Sequence, residues 1–145
     1  MAIHNISPAR HLIYQTAIDD AQDAASVAKD VGGAEALAMT AVTNCTSVIV
    51  GVCHFKRIDD VVIVSGRVTV DPTLAAATEF GIDFPTGHAI ANVAAATEVH
   101  GAYVDANGDV GLISGDTTNE RATVDFTAAA DTSRVGSFVF SFVAD

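Results

Sequence analysis

The feature that most constrains this chain is a period of two. Val62, Val64, Gly66, Val68 and Val70 fall on one side of an extended segment, with Ser65, Arg67 and Thr69 on the other. The same beat returns in Ala122, Val124 and Phe126, set against Thr123, Asp125 and Thr127. It returns again in residues 135–143, where Phe138, Phe140 and Phe142 share one side. Successive side chains of a strand point to opposite faces, so this alternation describes a sheet buried on one face. Three phenylalanines together make the last strand the expected centre of the core.

Turn residues separate these segments. Asp59-Asp60 divides a β-branched stretch, residues 48–55, from its return strand, residues 61–70. Asp71-Pro72 stops that strand, since proline cannot donate to a ladder. Residues 98–104 lead into Asn107-Gly108, the dipeptide of a type I′ hairpin, and residues 109–113 return. Gly115-Asp116 is a further expected turn. Residues 74–96 read as a long connection holding one short strand, Phe80, Ile82 and Phe84, ended by Pro85. The small residues 89–96 form a loop or a short helix. Short strands with regular turns and no βα alternation predict a mainly β fold, an antiparallel β-sandwich or jelly roll. A chain of 145 residues can bury such a core without disulfides or a structural metal.

The pattern differs before residue 45. Thr16 and Asp19 form a capping-box pattern, Asp19 and Asp20 suit a first helical turn, and Gly32-Gly33 would end a helix. The face on offer, Ile18, Ala21, Ala25 and Ala28, is small, and an extended arm that orders against a neighbour fits equally well. Residues 1–44 therefore read as an N-terminal arm or helical segment, and residues 45–145 as the β-sandwich domain.

Charge excludes two partner classes. Eighteen Asp and Glu face seven Lys and Arg, a net charge of −11. Such a surface repels phosphate backbones and anionic lipid, so neither nucleic acid nor membrane is an expected partner. No apolar run is long enough to span a bilayer. The start of the chain carries His4, Pro8, Arg10 and His11 where a secretion signal would be apolar, which predicts retention in a cytoplasm. Cys45 and Cys53 would stay reduced there. Their even spacing places them on one face of one strand, too far apart to bridge, as small core residues.

Several groups carry chemistry in principle. Asp105, Asn107 and Asp109, with Asp116 at the twelfth position, place oxygen ligands where a calcium loop has them. The sixth position is Val110 instead of glycine, the twelfth is Asp instead of Glu, and the flanks read as strands, so a polar hairpin tip is the plainer account. His4, His11, His54, His88 and His100 lack metal-ligand spacing, and the neighbours Cys53 and His54 face opposite sides of a strand. Asp59-Asp60 reads as a turn, and Glu79 and Asp83 as solvated positions near a loop, not as an acid–base pair. Arg121 reads as a surface or subunit-contact ion pair with Glu120 or an Asp across the sheet, and Arg67 as the same. Nucleophile elbows and phosphate or dinucleotide loops are absent from the sequence. The expectation is no catalytic, cofactor-binding or metal-binding residue, and no enzyme activity.

Three stretches together carry a resemblance. They are Phe55-Lys-Arg-Ile-Asp-Asp-Val-Val-Ile-Val-Ser-Gly-Arg-Val-Thr-Val-Asp-Pro-Thr73, then Phe80-Gly-Ile-Asp-Phe-Pro85, then Thr118-Asn-Glu-Arg-Ala-Thr-Val-Asp-Phe-Thr127 running on to Ser137-Phe-Val-Phe-Ser-Phe142. Their order resembles small β-sandwich proteins of tailed-phage virions, of the head-decoration (cement) type and of tail-fibre ends. The resemblance spans residues 44–143. It implies a jelly-roll-like sandwich, assembly as a homotrimer, and a structural role in a virion assembled in the host cytoplasm. The leading expectation is a decoration protein that binds the major capsid protein, its first forty-odd residues gripping the shell or a neighbouring trimer. The alternative is a tail-fibre or receptor-binding tip.

Overall fold

The strands close on one another through Asn44. This residue links β2 (Met39–Thr43) to β3 (Cys45–Ile58) in a left-handed conformation, φ 50°. Its side-chain amide donates to the Leu74 carbonyl and to Thr78 Oγ1, each at 2.9 Å. Asparagine tolerates this backbone region because its short side chain bonds locally. The result brings the two ends of one sheet together. In the computed structural model, which describes residues 30–90 and 92–144, nine antiparallel strands follow the order β1-β3-β4-β9-β6-β7-β8-β5-β2. The remaining strands are β1 (Asp30–Glu35), β4 (Val61–Pro72), β5 (Ala77–Ile82), β6 (Val99–Asp105), β7 (Val110–Asp116), β8 (Arg121–Thr127) and β9 (Arg134–Val143). A single 3-10 turn, Ala96–Glu98, precedes β6. Because β2 sits at one end of the order yet runs directly into β3, the sheet curls almost shut around its core.

This is the expected antiparallel β class, and the alternating segments lie where the period of two places them. Val62, Val64, Val68 and Val70 are buried, as are Phe138, Phe140 and Phe142 on β9. These phenylalanine rings step along the strand with centroids 6.1 Å apart, and Phe84 covers Phe142 at 4.5 Å. Opposite them, Phe80 meets Tyr103 edge-on at 5.7 Å, joining β5 to β6 across the interior. Burying such rings against one another contributes to the fold's hydrophobic stabilisation alongside the buried valines.

Four details depart from the expectations. The sheet begins at Asp30, so residues 30–43, read as part of an arm, supply two of its strands. Gly32 and Gly33 do not end a helix: Gly33 pairs with Phe55, and a Cβ there would collide with that ring. The capped start of the expected helix lies outside the described residues. The hairpin after β6 is not type I′, because only Gly108 takes a positive φ (85°). Asp105 Oδ1 accepts the N–H groups of Asn107 and Asp109 at 2.9 and 3.0 Å, and this holds Asn107 out of the left-handed region. Lastly, Gly115 and Asp116 belong to β7, and the turn falls at residues 117–120, with Glu120 at φ 52°.

Candidate interaction surface

The polar groups singled out in the sequence are engaged with one another. Arg134, at the start of β9, reaches into the β6–β7 hairpin. Its Nη1 donates to Asp109 Oδ2 at 2.6 Å and to Asp105 Oδ2 at 3.3 Å. Its Nε donates to the Thr132 carbonyl at 3.1 Å, and Asp109 Oδ2 also accepts the Ala129 N–H at 2.8 Å. The candidate calcium loop is thus organised around a guanidinium, which fills the place a cation would take. Asp116, its proposed twelfth position, turns away to Arg121 at 3.2 Å. Burial alone would raise the Asp116 carboxyl. Hydrogen bonds from the Asn119 side chain, the Asn119 and Thr118 N–H groups and Arg121 outweigh it and hold the carboxyl below its usual value. Arg121 is no surface residue: its guanidinium lies over Gly81, where a Cβ would strike it.

Glu79 and Asp125 stand directly opposite each other on β5 and β8. Glu79 accepts hydroxyl hydrogen bonds from Thr43 at 3.2 Å and Thr123 at 3.1 Å, beside a cavity of about 280 Å³. Burial, and then the Glu79 charge, push the Asp125 carboxyl above its ordinary value. Cys53 is buried while His54 is exposed on the other face, and both Cys45 and Cys53 are free thiols with pKa raised by burial. Among the described residues, no group of three or more His, Cys, Asp or Glu is placed to hold a metal ion. Among them, too, no helix is long and apolar enough to cross a membrane.

The surface that stands out is the outer face of β4, β9, β6 and β7. Register aligns Val139 on β9, Ala102 on β6 and Leu112 on β7 in one row, and Val104 with Val110 in the next. Ile63 lies on β4 one row away, and Val61 pairs with Val143 at the end. These side chains point outward, Val110 at 70% and Leu112 at 67% exposed. Arg67 and His100 are the basic residues in these rows, and the carboxylates of these strands, Asp71, Asp105 and Asp116, lie at strand ends, with Asp105 buried. Strands about 4.8 Å apart, with rows covering eight residues at about 3.3 Å each, give a face on the order of 500 Å². Ser65, Arg67, Ser137 and Ser141 interrupt its apolar part, and the largest apolar patch on a typical monomer, about 300–600 Å², is often functional. Alternation within β4 alone would hide this face, because Ser65, Arg67 and Thr69 make that strand's outer side polar. Only the pairing of four strands assembles it.

No protein-family model and no curated protein matches the sequence. Solved structures do share its shape. The C-terminal receptor-binding domain of the avian reovirus fibre sigmaC superimposes with a TM-score of 0.50 at 12% identity, over 79% of this chain and 75% of that one. The Dettilon tailspike protein gives 0.46 at 15% identity, over 78% of this chain but 24% of the tailspike. The fibre head domain of snake adenovirus 1 gives 0.37 at 9% identity, over 78% of this chain and 94% of that one. At such identities the likeness to the reovirus domain speaks to the fold alone, and no argument rests on the looser two.

Proposed function

We propose that this chain is a virion head domain of the fibre or spike type, a non-catalytic β module whose copies associate and which recognises a partner surface. The observation that carries the reading is the outer face of β4, β9, β6 and β7, where exposed Ile63, Val104, Val110, Leu112 and Val139 sit among serines, Arg67 and His100, on a chain of net charge −11. Copies of so acidic a protein repel one another least across a face whose carboxylates lie only at its strand ends. The only occupant that every copy can supply is another copy. The resemblance in the sequence implies three copies, and the fold shared with a fibre receptor-binding domain supports the tip reading. Capsid decoration, the leading expectation from sequence, gains no support from these comparisons.

Native mass spectrometry of the full chain tests the association. The expected mass is a small multiple of 14.9 kDa. Leu112→Glu combined with Val139→Glu should return it to one protomer, with the fold intact because both side chains are already exposed. A wild-type monomer at micromolar concentration would overturn the proposal. Counting copies per virion by quantitative mass spectrometry separates locations: a few per particle places the chain on a fibre or spike, and near-stoichiometry with the shell protein restores decoration.

A further inference from the structure

One groove has the chemistry of a ligand site. It lies where the connection after β5 passes the ends of β9, β6 and β4, and its volume is about 470 Å³. That size falls within the range of about 300–1,000 Å³ usual for small-molecule sites. Its walls are fixed: the Val93 N–H donates to Glu120 at 2.5 Å, and the Ala94 N–H donates to Glu98 at 2.8 Å. Val93 itself is buried against Gly115. The apolar lining is Ile90, Val61 and Val143, while the Phe142 ring is packed into the core under Phe84. Around that lining converge Asn92, Thr97, His100 and Ser141. His100 and Ser141 are directly opposed across β6 and β9.

We infer that this groove binds a neutral sugar unit, with Asn92, Thr97, His100 and Ser141 as its polar contacts and Ile90, Val61 and Val143 against the sugar's C–H surface. Among the described residues none of those four side chains has a hydrogen-bond partner, so their donors and acceptors remain for a ligand. Two hydroxyls, an amide and an imidazole present both donors and acceptors, which suits a polyol better than a purely anionic or cationic group. The charge in the groove is Glu98, and the whole chain is acidic, so phosphate and sialylated ligands are disfavoured. An extended peptide fits less well. β4, β9 and β6 are interior strands whose backbone groups are already paired, leaving no edge for strand addition. Ser141, His100 and Glu98 do not form a nucleophile–base chain, since no hydrogen bond joins them.

This inference deepens the recognition reading and shares the outer surface with the association face, of which Val61 and Val143 are the end row. The test therefore reads both. The full chain is titrated with neutral disaccharides containing glucose, galactose, mannose or N-acetylhexosamine, with 3-sialyllactose as the anionic comparator. Amide shifts are followed by NMR, and mass by native mass spectrometry. The expected result is saturable shifts at Thr97, Glu98, His100 and Ser141 with at least one neutral sugar. Asn92→Ala and Thr97→Ala, which lie outside the association face, should each weaken binding about tenfold, as loss of one ligand hydrogen bond would, with unchanged mass. No saturable shift with any neutral sugar, shifts that map elsewhere, or equal binding of 3-sialyllactose would overturn it. A monomeric mass with the groove shifts intact would sink the association reading and leave the sugar site standing.

Discussion

Replacing Arg134 with methionine tests whether the hairpin cluster is one energetic unit. The substitution keeps an aliphatic stem of similar length and removes the guanidinium. In the native protein the Arg134 side chain is 1% exposed, Asp105 is fully buried and Asp109 is 14% exposed. Without the cation, Asp105 Oδ1 keeps its two backbone donors, but Oδ2 loses its ion pair inside the protein. The Thr132 and Ala130 carbonyls lose their donors as well. Removing one partner of a buried pair costs about 3–5 kcal/mol, because the other charge remains uncompensated. At a urea dependence of about 2 kcal/mol per molar, the unfolding midpoint should fall by about 2 M. The measurement belongs at constant protomer concentration, since association would otherwise shift the midpoint by mass action. Adding Asp105→Asn removes the stranded charge and should return at least about 1 kcal/mol. A loss below about 1 kcal/mol for Arg134→Met, or the same loss with and without Asp105→Asn, would show that the three residues are not coupled.

Three further outcomes follow from the same structure. Calcium at millimolar concentration should leave the melting temperature unchanged, because Asp105 and Asp109 are committed to Arg134; a rise that scales with calcium would show that the loop takes the ion after all. Phe140→Ala empties the centre of the core, where the ring is 1% exposed beside Phe84, Phe138 and Phe142. It should cost about 3–5 kcal/mol in urea unfolding, and a near-neutral effect would displace β9 from that role. Asp125→Asn should stabilise the protein at neutral pH. A carboxyl raised on folding binds its proton more tightly in the native state, so its ionised form costs stability above its folded pKa. That cost vanishes as pH falls below the ordinary carboxylate value, about 3.9, and the variant's advantage should vanish with it. An advantage that grows in acid would reverse the assignment.

Much of the sheet was legible along the chain because side-chain alternation is a local property. β4, β8 and β9 each carry enough apolar residues at every second position to declare which face is buried, and Asp59-Asp60 and Asn107-Gly108 mark turns by their own chemistry. β1 and β2 were not legible. Gly32-Gly33 and Thr40-Ala41 lack the apolar content of a strand, and they extend only because β3 and β5 offer ladders to them. Of the glycines that look like a helix stop, Gly33 makes room for the ring of Phe55 and Gly32 lies against its carbonyl, a partner more than twenty residues away in sequence.

The same division applies to the surface. Sequence alone determined an acidic, antiparallel β protein with a phenylalanine-lined last strand, because charge sums and period-two patterns need no partner. Tertiary structure decided which strands are neighbours, and so which outward residues meet. Val139, Ala102 and Leu112 are unremarkable in their own strands and become a row only through the pairing of β9 with β6 and β6 with β7. Arg134 finds Asp105 and Asp109 by the same route. Pairing order is set by the burial available to the whole sheet, which no single segment of sequence carries.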